Sequence, residues 1–172
     1  MIRETNGLRL RAYRVGDVDA MVRLDELCFA PVFRFERRAM RQFAEARGAV
    51  VLVAEIADDG GSVGMAGFLI VHVEEARLGA ANPYGYVVTI DVDPGARRLG
   101  VGKAMLRAAE ERVREAGARW MDLHVATNNA GAIRFYEQDG YACVGIVEEF
   151  YQTGLDAYVY RKELGRMRAA AS

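Results

Sequence analysis

The sequence predicts a single α/β domain of the mixed α+β kind, a mostly antiparallel sheet flanked by helices, in the order β-α-α-β-β-β-α-β-α-β-β. Three observations lead there. Short alternating or β-branched segments, the mark of strands, are interleaved with segments whose apolar residues return at helical spacing. Glycine and aspartate punctuate most junctions, and no repeat or linker-like stretch divides the chain. Its 172 residues are also enough for one substantial core. Residues 1–164 are therefore read as one domain and residues 165–172 as a frayed tail.

Each element has its own signal. Leu8–Arg14 alternates apolar and charged side chains, as a half-buried strand does. Asp17 stands where a helix cap is wanted, and Val18, Met21, Val22, Leu24 and Leu27 give the next segment an apolar face. The run Cys28-Phe29-Ala30-Pro31-Val32-Phe33 interrupts with a proline and exposed-looking aromatics, and a second helix covers Glu36–Ala46 before Gly48. Val50–Ile56 and Met65–Val73 form a hairpin around Asp58-Asp59-Gly60-Gly61. A polar loop through Arg77, Gly79 and Asn82-Pro83 leads to a strand over Tyr86–Asp93. Val101, Ala104, Met105, Ala108, Ala109, Val113 and Ala116 line a long helix ended by Gly117. Trp120–Thr127 is a strand, and Asn128-Asn129 open a short helix with Ala132, Ile133 and Tyr136 on one face. Tyr141–Tyr151 and Ala157–Glu163 close the chain as two strands around Gly154.

Composition removes several classes of function. Hydrophobic residues make up 52% and charged residues 27%, with a formal net charge of -1, so bulk attraction to nucleic acid is not expected. Cys28 and Cys143 are too few for a disulfide framework and are read as small buried hydrophobes. Two histidines, His72 and His124, with no clustered cysteine or carboxylate spacing, give no metal site; His72 reads as structural. No signal-like or membrane-spanning apolar run is present, and the expected compartment is the cytoplasm.

The stretch that carries chemistry is Ile90-Asp91-Val92-Asp93-Pro94-Gly95-Ala96-Arg97-Arg98-Leu99-Gly100-Val101-Gly102-Lys103. A strand feeds a glycine-bearing turn with two arginines, and a helix leaves it. Such a helix start offers unpaired N–H groups, a positive dipole end and local positive charge, which suit a phosphate-bearing ligand.

Val92-Asp93-Pro94 followed by Arg97-Arg98-Leu99-Gly100-Val101-Gly102 resembles the acetyl-CoA signature of the GCN5-related N-acetyltransferase (GNAT) superfamily. A second segment matches downstream: Leu123-His124-Val125, Asn129, Ala132-Ile133, Phe135-Tyr136 and Gly140-Tyr141. Phe29 with Pro31-Val32, Tyr86 before Val87-Val88-Thr89-Ile90, His124, and Phe150-Tyr151 narrow the resemblance toward ribosomal-protein-alanine and other protein N-terminal α-amine acetyltransferases.

The resemblance implies a cofactor, acetyl-CoA, with coenzyme A as product. Backbone N–H groups of Leu99 to Lys103 would cradle its pyrophosphate, with Gly100 and Gly102 allowing close approach and Arg97 and Arg98 adding charge. The pantetheine arm would lie along Ile90, Asp91 and Val92, one of whose N–H groups would polarise the thioester carbonyl. Asn129 would contact the arm, and Tyr136 would protonate the departing sulfur. A glutamate occupies the place of His124 in many relatives, so His124 and Tyr86 both stand as candidates for the base. Phe29, Pro31, Val32, Tyr86 and Tyr151 would wall the acceptor, with Glu148 and Glu149 near enough in sequence to attract an ammonium group. The implied acceptor is a protein or peptide N-terminus. A small amine (polyamine, amino acid or antibiotic) and a non-catalytic coenzyme A-binding role are the alternatives, as monomer or homodimer.

Overall fold

The computed structural model describes residues 7–75, 82–152 and 154–165. Seven strands and four α-helices follow one another as β1 (Leu8–Ala12), α1 (Val18–Cys28), α2 (Arg37–Ala44), β2 (Ala49–Ala57), β3 (Val63–Glu74), β4 (Tyr84–Val92), α3 (Val101–Glu115), β5 (Trp120–Ala126), α4 (Ala130–Gln138), β6 (Ala142–Val147) and β7 (Ala157–Glu163). One-turn 3-10 segments at Val15–Asp17, Pro31–Phe33 and Pro94–Ala96 fill the junctions before α1, α2 and α3. The element order is the one the sequence predicts. The strands are hydrogen-bonded in the order β1-β2-β3-β4-β5-β7-β6, and only the β4–β5 pairing among the registers described is parallel. The expected loop through Arg77 and Gly79 lies outside the described residues, as does the expected tail beyond Gly165.

The chain resolves into two compact units. The first takes residues up to His72 together with Val88–Ala109. Met21 and Leu24 of α1 and Met40 and Ala44 of α2 pack there on Val51, Val53, Phe68 and Ile70 of the β2–β3 hairpin. This burial explains the period-2 and helical patterns of those segments. Elsewhere in this unit α3 meets β3 at Gly67, where a Cβ would lie 2.7 Å from the Asp91 carbonyl oxygen and 2.9 Å from Met105. Gly67 therefore sets how closely β3, β4 and α3 approach.

Asp17 does not cap α1 with its side chain, although it occupies the N-cap position. Its carboxylate is gripped by the Arg11 guanidinium at 2.8 and 2.9 Å and accepts the Arg14 N–H at 2.7 Å. Arg11 also donates to Glu55 at 2.6 Å, across the β1–β2 ladder. A charged partner forks onto the carboxylate more strongly than an N–H at a helix end would.

The second unit takes Val73–Val87 and residues from Glu110 onward. Here β5, β7 and β6 form an antiparallel meander, and Asn129 caps α4 by accepting the Ala132 N–H at 3.1 Å. Buried Tyr141 donates to Glu110 at 2.8 Å, and Lys162 donates to the same carboxylate at 2.9 Å. β6 is exposed along its whole length, which places Cys143 in solvent rather than in the core. The strand also ends at Val147, short of the expected Tyr151, because Glu149 turns into the left-handed region (φ 49°) and gives its N–H to Asp156.

Candidate active site

In the first unit the Ile90–Lys103 stretch is a strand end, a turn and a helix start, as its sequence predicts. Asp93 accepts the Gly95 N–H at 2.8 Å, and Pro94 opens the one-turn segment. Two left-handed residues flank Leu99: Arg98 at φ 67° and Gly100 at φ 80°. A non-glycine side chain in that region costs about 1–2 kcal/mol, so Arg98 stores strain in the turn. Gly100 is there for its dihedral rather than for packing, since a Cβ on it would meet nothing within 4 Å.

Helix α3 then begins at Val101, and its first N–H groups, through Lys103, lack carbonyl partners one turn back. The Leu99 N–H points instead toward the Ala96 carbonyl at 3.4 Å, a long contact. Arg97, Arg98 and Leu99 are exposed, and Arg97 donates to the Val92 carbonyl at 3.3 Å. The side chain of Asp91 faces the interior, fully buried, so only its backbone is available to an added arm. Phe29 in this unit is half-buried, while Pro31 and Val32 are exposed on their 3-10 turn.

In the second unit Tyr86 of β4 and His124 of β5 come together, with the tyrosine oxygen 2.9 Å from Nδ1. The parallel register that pairs Tyr86 with Asp122 brings the two side chains within reach. Phe150 stacks on the imidazole with ring centroids 4.2 Å apart and planes 6° from parallel. Tyr151 meets Phe150 edge-on at 4.9 Å. The family resemblance singled out Tyr86, His124 and Phe150-Tyr151 in the sequence, and the stacking of Phe150 on the imidazole is a contact that no local periodicity encodes.

The electrostatics follow from this packing. Burial lowers the His124 pKa below its ordinary 6.5, although Asp122 nearby opposes the shift. Asp122 is itself held by a two-pronged contact from Arg161 at 2.7 and 2.8 Å. Burial, with Tyr151 as a second contributor, pushes the Tyr86 hydroxyl up to about 12. At neutral pH the ring is therefore uncharged and the phenol keeps its proton. In the tautomer whose Nδ1 accepts from the Tyr86 hydroxyl, the neutral ring carries its own proton on Nε2.

Tyr136 of α4 is buried at 6% exposure, edge-on to Phe135 and Tyr141 at 5.2 and 5.7 Å. Asn129 begins the same helix and is exposed. His72 lies 2.9 Å through Nε2 from the Phe43 carbonyl, a packing contact within the first unit. Cys28 sits 3.3 Å from the Val92 carbonyl, and burial raises its thiol pKa, so it is a poor nucleophile. Among the described residues no three histidine, cysteine or carboxylate side chains are grouped to hold a metal.

Fold and turn together define an acyl-transferring class. Residues 18–141 match the acetyltransferase (GNAT) family, and the chain belongs to it: it is an N-acetyltransferase that uses acetyl-CoA. The chain is similar to an N-alpha-acetyltransferase of Sulfurisphaera tokodaii, 29% identical over 160 residues that cover 88% of this chain and 90% of that one. The ribosomal-protein-S18-alanine N-acetyltransferase of Escherichia coli superposes with a TM-score of 0.75 at 21% identity, covering 95% of this chain and 97% of that one. Arabidopsis thaliana NAA60 in complex with acetyl-CoA superposes with a TM-score of 0.77 at 19% identity, covering 91% and 98%. These two superpositions speak for the fold. No described helix is long and apolar enough to cross a membrane.

Proposed function

We propose that this enzyme acetylates the α-amine at a protein or peptide N-terminus. The observation that carries this reading is the Tyr86–His124 pair, whose imidazole is kept neutral under Phe150. A base weakened by burial suits an amine that is already partly deprotonated. An α-amine with pKa near 7.8 is about one quarter free base at pH 7.4, whereas a lysine-type amine near 10.4 is about 0.1% free base. Aromatic walls also suit a peptide end, whose backbone they orient without strong side-chain readout. The Sulfurisphaera relative's description as an N-alpha-acetyltransferase agrees with that preference.

The turn from Arg97 to Lys103 holds the coenzyme A phosphates, and Ile90, Asp91 and Val92 pair through their backbone with the pantetheine arm. Phe29, Pro31, Val32 and Tyr151 wall the acceptor. The amine nitrogen attacks the thioester carbon, and a backbone N–H of the β4 end steadies the oxyanion. The ammonium proton leaves through Tyr86, which passes its own proton to His124 Nδ1. The C–S bond then breaks, and Tyr136 protonates the thiolate while Asn129 holds the arm.

The test is a competition in one vessel between short peptides with free α-amines and a panel of polyamines, amino acids and aminoglycosides. Peptides are expected to exceed every small amine in kcat/KM by at least about 100-fold, a margin of roughly 2.7 kcal/mol in transition-state binding. A small amine that outcompetes all the peptides would overturn the assignment.

A further inference from the structure

Beneath the cofactor strand lie two carboxyls that this chemistry does not use. Asp25 of α1 and Asp91 of β4 are both fully buried. Asp25 Oδ2 accepts the Phe35 N–H at 2.8 Å, and Asp91 Oδ1 accepts the Thr89 hydroxyl at 2.6 Å. The remaining oxygens, Asp25 Oδ1 and Asp91 Oδ2, meet no other donor. The two carboxyls also interact electrostatically with each other, and neither of these buried oxygens has a donor to offset its charge. Two buried carboxyls that interact in this way, each with an oxygen lacking a donor, are accommodated by a proton shared between them, because neighbouring like charges do not both persist in a dry site.

The segment fixed by this pair is the Phe29–Phe35 loop. Its far end is tied by the Phe35 N–H to Asp25, and its near end by Arg34, which donates to the carbonyls of Glu26 at 2.9 Å and Phe29 at 2.8 Å. Cys28 adds a bond to the Val92 carbonyl, again on the β4 end.

We propose that Asp25 and Asp91 share one proton and thereby fasten the Phe29–Phe35 loop to the end of β4, making them positioning residues for acceptor binding. This rests on the reading of Phe29, Pro31 and Val32 as acceptor wall. Thr89 and Arg97 act on the pair from β4 and the turn after it, and Cys28, Glu26 and Arg34 from α1 and the loop after it. Burial raises both carboxyls, Asp91 the further. A group with a raised folded-state pKa gives its full stabilisation below the ordinary carboxyl range and loses it as pH rises through the raised value. Loss of the shared proton leaves two buried charges opposed, so the loop loosens on the alkaline side.

The experiment combines amide hydrogen exchange at Phe35, corrected for the intrinsic pH dependence, with acceptor KM against pH. In the wild type, Phe35 protection is expected to fall about tenfold or more toward alkaline pH, with a parallel rise in acceptor KM and little change in KM for acetyl-CoA. Asp25→Asn keeps an acceptor for Phe35 and offers an N–H to Asp91 without a titrating proton, so both curves flatten. Asp25→Ala removes the Phe35 acceptor, so protection is lost at every pH and acceptor KM rises about tenfold. A wild-type Phe35 protection indifferent to pH, or an Asp25→Asn profile identical to wild type, overturns the proton-sharing pair. Exchange that behaves as expected beside an acceptor KM that stays flat overturns the positioning role and removes the loop from the acceptor wall.

Discussion

His124 is the residue on which the proposed proton chemistry turns, and its behaviour depends on neighbours far away in sequence. Phe150 covers one ring face and Tyr86 occupies Nδ1. Burial lowers its pKa, so the neutral ring survives below the ordinary imidazole value and is lost only as pH falls further. The acid limb of kcat is therefore expected below pH 6.5 in the wild type. Phe150→Ala lets water reach the ring, and the limb moves up toward 6.5. Tyr86→Phe and His124→Ala each lower kcat by about 10²–10³-fold, and because they form one relay the double variant loses no more than either alone. Rate profiles of the four enzymes check both statements. Multiplying losses in the double variant would separate the two residues.

At the scale of elements, the junction between β4 and α3 bears the most consequence. Gly100 holds φ 80° with open space beside it, so Gly100→Ala tests the dihedral and not a clash. The substitution is expected to cost about 1–2 kcal/mol, a few degrees of Tm, and to raise KM for acetyl-CoA about tenfold with acceptor KM little changed. Thermal melts and steady-state kinetics read these separately.

This junction was legible because its glycines, arginines and β-branched lead-in are contiguous. The helix cap expected of Asp17 was not, because Arg11 reaches that carboxylate only once β1 is in place. Cys143 belongs to a segment as apolar as any core strand, yet its strand stands at the edge of the sheet and is exposed throughout. Strand order is a property of the assembled sheet and leaves little trace in local pattern. The proposed Asp25–Asp91 pair joins residues on separate elements, and neither position carries a local signal.

For the molecule as a whole, the alternation of strand and helical periods predicted the element order, and the paired motifs around Gly100 and Tyr136 predicted the family to which the chain belongs. The acceptor was harder to read, since one scaffold serves many amines and specificity resides in side chains assembled from distant segments. Tyr86, His124, Phe150 and Tyr151 are brought together from distant segments, and the proposed acceptor reading is built on them. The most direct measurement uses a peptide with both a free α-amine and an internal lysine, incubated with acetyl-CoA and fragmented by mass spectrometry. The account predicts that the acetyl group sits on the N-terminal nitrogen and that blocking the α-amine abolishes turnover. Acetyl found on the lysine, or undiminished turnover of the blocked peptide, would contradict it.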